Sequence, residues 1–560
     1  MIRTQVYFAV ASIVVIFTAL LNAQTVQTNE TKFTSSTELV LIPTVVNDKS
    51  GIPISGLQKE QFALKQDGKP RSIAVFEEVK TTSDRLHRSE GEHGTFSNYE
   101  TDGNEYHRLN TILLDFVNTP FADQIHAKNE LVRFLTEAAE SGDPMCLLAL
   151  NRSGLTVLHN FTENPKLLAE ALRKVESDTG AIHDSIVDPG HPKPSDPLGA
   201  AIMAMIRRQL ESEAQVTSME RQEAASITAR ALLQIAIGLR GLPGRKALIW
   251  ASSGFPFSLT PPDMLTCDPA CPVRDSDEMH SEYAKLWRTM NDAQIAIYTV
   301  DLRSASSSMP TAEEGTFTHP SDIGDPQFDT AAQAQWKRQD TDSTLKLFAE
   351  NTGGKAFLGG NNLLQSFRKA TADDSNYYML GYYVSRSSAK PGWHQISVTI
   401  NRKGAHARYR SGFFLSSDTS ASSAQSDVRL ALGSPLDFVG VPVSVTWSGR
   451  DAGKFVGNTR MRFDLVMPPN FAFVDESDQN HMIVDIAAAA RNGNGEVVVE
   501  LSQRIDTHLK PDGLEQIQRN GMTYRNSLQL PPGEYTVRFV VRDSLGNRMG
   551  SVAAPIKVAQ

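Results

Sequence analysis

Cysteine is scarce, with three in 560 residues, and that excludes a scaffold stapled by several disulfides. A basic excess is missing as well. Lys and Arg total 55 against 64 Asp and Glu, a formal charge of −9. No basic block with interleaved aromatics interrupts that balance, so nucleic acid is excluded as a partner. Beyond residue 23 no apolar run is long enough to span a bilayer, and no internal repeat of fixed period appears. The length exceeds what one core can organise and implies several units of ~150 residues each.

The one long apolar run is "VYFAVASIVVIFTALL", behind the single Arg of "MIRTQ" and ahead of "LNAQ". Ala23 is a small residue suited to signal peptidase, so residues 1–23 are expected to be a cleaved signal peptide. The alternative is an uncleaved anchor, since the run approaches the roughly 17–25 residues that cross a bilayer. Export to the periplasm, the cell envelope or the medium follows, with no membrane span after cleavage. In that compartment Cys267 and Cys271 of "TCDPACP" are expected to form a local disulfide. A zinc site there lacks two further ligands. Cys146 in "PMCLLAL" reads as a small core residue.

Residues 36–80 carry β-rich runs, "STELVLIPTVVND" and "RSIAVFEEV", separated by turn clusters, and read as a small β module. Residues 81–108 are polar and almost free of aliphatics, which predicts a flexible linker holding His87, His93 and His107. From 109 to 373 short apolar strands alternate with amphipathic segments, the pattern of an α/β doubly wound, mostly parallel sheet with helices on both faces. "TILLD" and "KALIWA" are buried strands. "MCLLAL" and "LTVLHNF" make an edge hairpin around "NRSG". The first helix is expected to present Ile125, Leu131, Val132, Leu135 and Ala138 as its apolar stripe. Residues 374–415 read as a β-strand extension, 416–427 as a Ser-rich linker, and 428–560 as an immunoglobulin-like β-sandwich with an Asn-Gly turn.

The strings "LLDFVNTPFADQ", "FTENPKLLAEAL", "GLPGRKALIWASSGF", "FAENTGGKAF" and "YYMLGYYV", with the element order over 109–373, resemble von Willebrand factor type A (VWFA)-related domain proteins of the acidobacterial type. The resemblance extends to "GIPISGLQKEQFALKQDGKPRSIAVFEE" before the domain and "GWHQISVTINRKGAHARYRSGFF" after it. It implies a protein-binding or adhesion function, with a protein partner. It also implies a metal-ion-dependent adhesion site built from Asp-x-Ser-x-Ser after the first strand, a later Thr, and an Asp after the fourth strand.

Only part of that site is present. Asp115 is in place, Thr119 keeps a hydroxyl and Asn118 adds an amide, but Val117 offers no oxygen, and "WASSGF" has Ser252 and Ser253 where the acid is expected. Mg2+ prefers six oxygens and one or two carboxylates. Any Mg2+ or Mn2+ held by Asp115, Asn118 and Thr119 would therefore be bound weakly. The competing reading is that Asp115 and Asn118 only satisfy loop amides. The sequence thus predicts a non-enzymatic exported binding protein with a degenerate metal site. The alternatives are a divalent-cation-dependent adhesin, a structural envelope component, and a secreted serine hydrolase using Ser252. The last is disfavoured because Trp250 replaces the first Gly of a nucleophile elbow and no helix can follow "WASSGFPFSLTPP".

Overall fold

The structure is a computed structural model that describes residues 37–81, 94–98, 109–137, 143–175, 219–240, 242, 244–255, 277–303, 330–359, 362–373, 376–385, 390–415, 421–452, 458–469, 471–476 and 479–559. Residues 1–23, expected to be a signal peptide, and His87, His93, His107, Cys267 and Cys271 lie outside them.

The chain enters through β1 (Thr37–Asn47), β2 (Phe62–Gln66), β3 (Lys69–Arg71) and β4 (Val75–Lys80). Asp67 and Gly68, both at positive φ, make the tight turn between β2 and β3. A short strand, β5 (Thr95–Ser97), follows.

The central unit runs β6 (Asn110–Asp115), α1 (Phe121–Glu137), β7 (Met145–Asn151), β8 (Gly154–Thr162), α2 (Pro165–Arg173), α3 (219–239), β9 (Lys246–Ser252), α4 (Asp277–Asp292), β10 (Ile295–Asp301), α5 (Thr330–Thr352), β11 (Ala356–Phe357) and α6 (Leu363–Ala372). Its six strands form one mixed sheet in the order β11-β10-β9-β6-β7-β8, parallel except for the β7–β8 hairpin. β6, β9 and β10 are buried along their whole length, as continuous apolar runs in a parallel sheet must be, whereas edge strand β8 is mostly half-exposed. The strand residues divide by parity between two cores. Leu113, Leu248, Trp250 and Ile297 pack with Leu232 and Ile235 of α3, Trp287 of α4 and Phe348 of α5. Ile112, Leu114, Ile249 and Tyr298 pack with Leu131 and Leu135 of α1, Leu168 of α2 and Phe367 of α6. The α1 stripe is rotated from the expected one. Ile125 is 43% exposed, while Gln124, Ala127 and Phe134 are buried.

Four strands follow: β12 (Asn376–Ser385), β13 (Gly392–Ile400), β14 (His406–Arg408) and β15 (Gly412–Leu415). They do not form a separate extension, and 36–80 is not a separate module. β1 pairs with β12 from Thr37↔Ser385 to Thr44↔Tyr378, and β2 pairs with β13 from Phe62↔Ile400 to Gln66↔Ile396. Two four-stranded antiparallel sheets, β14-β1-β12-β4 and β15-β13-β2-β3, result, and they enclose a shared core that includes Ile42, Leu64, Tyr378 and Val398. Neither segment has enough apolar surface to bury its own face, so each completes the other across the inserted central unit.

The last part contains α7 (Ala421–Gly433), β16 (Ser444–Ala452), β17 (Thr459–Met467), β18 (Val474–Glu476), β19 (Gln479–Arg491), β20 (Val497–Leu509), α8 (Pro511–Asn520), β21 (Met522–Leu530), β22 (Gly533–Asp543) and β23 (Arg548–Val558). Two antiparallel sheets, β21-β17-β16-β5 and β18-β19-β22-β23 with β20 on β19, share one core centred on Val445, Phe463, Ile486 and Phe539. Two expected linkers are revised here. Residues 95–97 of the 81–108 segment form β5, because Phe96 packs against this core and Asn98 hydrogen-bonds across to Phe438 O, Val441 O and Val443 N. Residues 421–427 are helical, because Ala431 and Leu432 are buried and Asp427 pairs with Lys285 at 2.8 Å, which holds the Ser-rich turn ahead of them. Among the described residues no helix is long and apolar enough to cross a membrane.

Candidate functional site

The apolar run of β6 ends at Asp115, whose side chain is fully buried. Four donors converge on its carboxylate. The Asn118 backbone N–H reaches Oδ1 at 3.0 Å. Asn118 Nδ2, Trp250 Nε1 and Ser252 Oγ reach Oδ2 at 2.8, 3.1 and 3.0 Å. Burial raises the Asp115 pKa above its ordinary value, and the hydrogen bonds from Asn118, Ser252 and Trp250 oppose that rise. Asn118 Nδ2 also donates to Thr228 Oγ1 at 2.8 Å, which ties the end of β6 to α3. Thr119 Oγ1 accepts the Ser253 N–H at 3.2 Å and so joins the ends of β6 and β9. Gln124 Nε2 closes the loop from the other side, donating to Phe116 O at 3.1 Å and Thr119 O at 2.8 Å.

Of the expected trio Asp115 and Asn118 are hydrogen-bonded to each other, whereas the Thr119 hydroxyl is engaged with the Ser253 N–H. Val117 turns into the apolar core, at 5% exposure. The indole N–H and the backbone N–H are fixed in direction, so a cation approaching either Asp115 oxygen would face a proton already placed there. Asp123, in the first turn of α1, is also buried on this side; Asp301 at the end of β10 is taken bidentately by Arg303 at 2.8 and 2.8 Å and also accepts the Gly359 N–H at 3.1 Å. Hydrogen bonding to Asp301 raises the Arg303 pKa against the effect of burial. Among the described residues no group of three or more His, Cys, Asp or Glu is placed to hold a metal. The residues present do not fit the divalent ion that the resemblance implies. Two neutral oxygens, Asn118 Oδ1 and Ser253 Oγ, are buried there without partners, and neither supplies charge.

Ser252 Oγ is buried, engaged with Asp115 and 2.7 Å from Gly254 O, which is the setting of a structural hydroxyl. His394 lies in the β unit, the pair of four-stranded sheets built from β1–β4 and β12–β15, where it contacts Asp67 at 2.7 Å and Lys390 O at 2.7 Å. Cys146 is buried in the core, and burial pushes its thiol up to about 12.

Sequence reading did not find Thr228, Gln124 or the roles of Trp250 and Ser252 as donors. Of these only Gln124 carried a signal, as a polar residue inside the buried stripe of α1. A shallow cleft opens beside the loop, lined by Val117, Arg152, Glu220, Glu223, Ala224 and Ile227. It lies at the carboxyl edge of the parallel strands and mixes both signs of charge.

No family model matches the chain, and no curated protein matches it. Among solved structures, the SpRpn10 VWA domain aligns with 36% of this chain and 84% of its own length, at 11% identity and a TM-score of 0.16. The pilus adhesin SpaC from Lactobacillus rhamnosus GG aligns with 88% of this chain and 57% of its own, at 8% identity and a TM-score of 0.24. In its open conformation the same adhesin aligns with 89% and 56%, at 7% identity and a TM-score of 0.25. The chain thus spans little more than half of the adhesin's length. TM-scores this low decide neither fold nor function.

Proposed function

We propose that this chain is an exported, non-enzymatic binding or adhesion protein. In this reading the central unit is a von Willebrand factor A-like doubly wound sheet, with α1, α2 and α6 on one face and α3, α4 and α5 on the other. It recognises a protein partner at the carboxyl edge of its strands, where open α/β sheets place their ligand crevices. Recognition is metal-independent. The observation that carries this is the Asp115 carboxylate, both of whose oxygens already accept hydrogen bonds from inside the protein. What remains for a partner is the mixed-charge cleft of Arg152, Glu220 and Glu223.

A cation-dependent reading draws on one observation, the unpartnered Asn118 Oδ1 and Ser253 Oγ. Capture of envelope proteins on the immobilised full chain, with and without chelator, separates the two. Metal-independent binding predicts equal recovery in both, with loss on Arg152→Glu and Glu223→Lys. Recovery abolished by chelator, or indifferent to both charge reversals, would remove the proposal.

A further inference from the structure

Opposite the Asp115 edge, at the amino-terminal end of the parallel strands, two arginines face one small cavity. Arg245 directly precedes β9 and Arg410 lies between β14 and β15. They are 3% and 8% exposed and line the cavity with Asn291, Gln294 and Thr352. Its free space is about 10 Å³, on the order of what one water-sized group needs.

The two arginines are not equivalent. Arg245 donates to Gly353 O at 2.6 Å and Tyr298 Oη at 3.2 Å, and its backbone N–H donates to Tyr377 Oη at 3.1 Å. Among the described residues the Arg410 side chain donates no hydrogen bond, and no carboxylate comes within ion-pair distance of it. Its Nε is buried without a partner, and it sits over the Phe413 ring at 5.9 Å. Asp292, the Tyr382 hydroxyl and Glu38 act on it only from a distance, and Asp292 already serves Arg240 at 3.6 Å and Arg288 at 3.9 Å. Burial pulls the Arg410 pKa down to about 10, as expected of a guanidinium taken from water without a close counter-ion. Gln294 also lacks a partner at Oε1, and its backbone holds φ +53, an uncommon conformation for a residue with a long side chain.

A buried cation with unused donors, an orphan amide and a space of this size define a complementary ligand. We propose that the cavity binds one inorganic anion of halide size between the guanidinium of Arg410 and the Gln294 amide. A half-turn of that amide presents its NH2 to the anion. Arg245, Asn291 and Thr352 form the wall. Because Arg410 belongs to the β unit while Arg245, Gln294 and Thr352 belong to the central unit, the anion fastens the two together.

The test is thermal unfolding of the full chain at constant ionic strength, with chloride exchanged for gluconate, which is too large to enter. Bromide forms a second halide arm, and sulfate, too large for the space, serves with gluconate as a control. The expected result is a saturable rise in unfolding temperature with the anion that fits, absent in Arg410→Met. Should that variant not fold, line broadening of the chloride NMR signal by the wild-type chain gives an independent readout. Identical unfolding temperatures in chloride, bromide, sulfate and gluconate, together with unbroadened chloride resonance, would leave only water in the cavity and overturn the proposal.

Discussion

Replacing Asp115 by Ala removes the acceptor on which four donors converge. Ser252 Oγ loses nothing, because Gly254 O stands 2.7 Å away as an alternative. The Asn118 N–H, one Asn118 amide hydrogen and the Trp250 indole N–H are stranded. A buried donor without an acceptor costs roughly 1–3 kcal/mol, and a water entering the polar space left by the carboxyl recovers part of that. The net loss should be about 3 kcal/mol, which lowers the unfolding midpoint of a unit of this size by about 6–12 °C.

Scanning calorimetry on the full chain, in chelated buffer and again with magnesium, measures it. The drop should be the same in both buffers, and the wild type should not respond to magnesium. The pH dependence adds a second check. Burial raises the Asp115 pKa above 3.8, so over that window the folded state binds more protons than the unfolded one, and this residue's contribution to stability falls as pH rises. The gap between wild type and variant should narrow from acid toward neutral pH. An unchanged midpoint in chelator, with wild type stabilised by magnesium, would refute the reasoning and show a carboxylate kept for a cation.

Gly354→Ala should prevent the chain from accumulating in folded form, because a Cβ there would overlap the Ile297 carbonyl; soluble yield and circular dichroism read this directly. Lys246 is 2% exposed, and burial pulls its pKa down from 10.5 to about 7. Folding therefore releases a proton between those values, and stability rises as pH climbs from about 7 to 10.5. Lys246→Met should flatten that slope and stabilise the protein at neutral pH by about 3 kcal/mol, measured by urea unfolding at several pH values. Asn98→Ala should cost about 2 kcal/mol and speed hydrogen exchange at the Val443 amide, which bonds to Asn98 Oδ1 at 2.7 Å.

What the sequence made legible was local. Strand positions in the central unit follow from unbroken apolar runs such as "TILLD" and "KALIWA", because a strand covered on both faces needs no alternation. Asp115 stood out because an acid closes such a run. Pairings between distant segments were not legible. β1 and β12 are each plausible strands alone, and nothing in either encodes a partner more than three hundred residues away. The Ser-rich stretch before Val428 reads as a linker on composition, yet docking of Ala431 and Leu432 makes it helical, an instance of tertiary packing overriding weak propensity. Thr228 was invisible for the same reason, since its role depends on α3 lying beside the end of β6.

Parts of four of the strings that carry the resemblance share a location. Arg245 of "GLPGRK", Gly353 and Gly354 of "ENTGGK", Tyr377 of "NYYMLGYYV" and Arg408 of "HARYRSG" meet at the amino-terminal end of the sheet. There Arg245 and Arg408 both donate to Gly353 O, at 2.6 and 3.0 Å, and Arg408 pairs with Asp373. Gly353 takes φ +77 and lies against the Tyr409–Arg410 backbone, where a side chain would collide. These residues specify how the central unit seats on the β unit that surrounds it in sequence. The Asp115 edge, by contrast, is built from residues that satisfy one another and leave the adjoining cleft to Arg152, Glu220 and Glu223. The joint and the Asp115 edge therefore rest on different residues, Arg245, Gly353 and Arg408 for the first and Asn118, Thr119, Trp250 and Ser252 for the second.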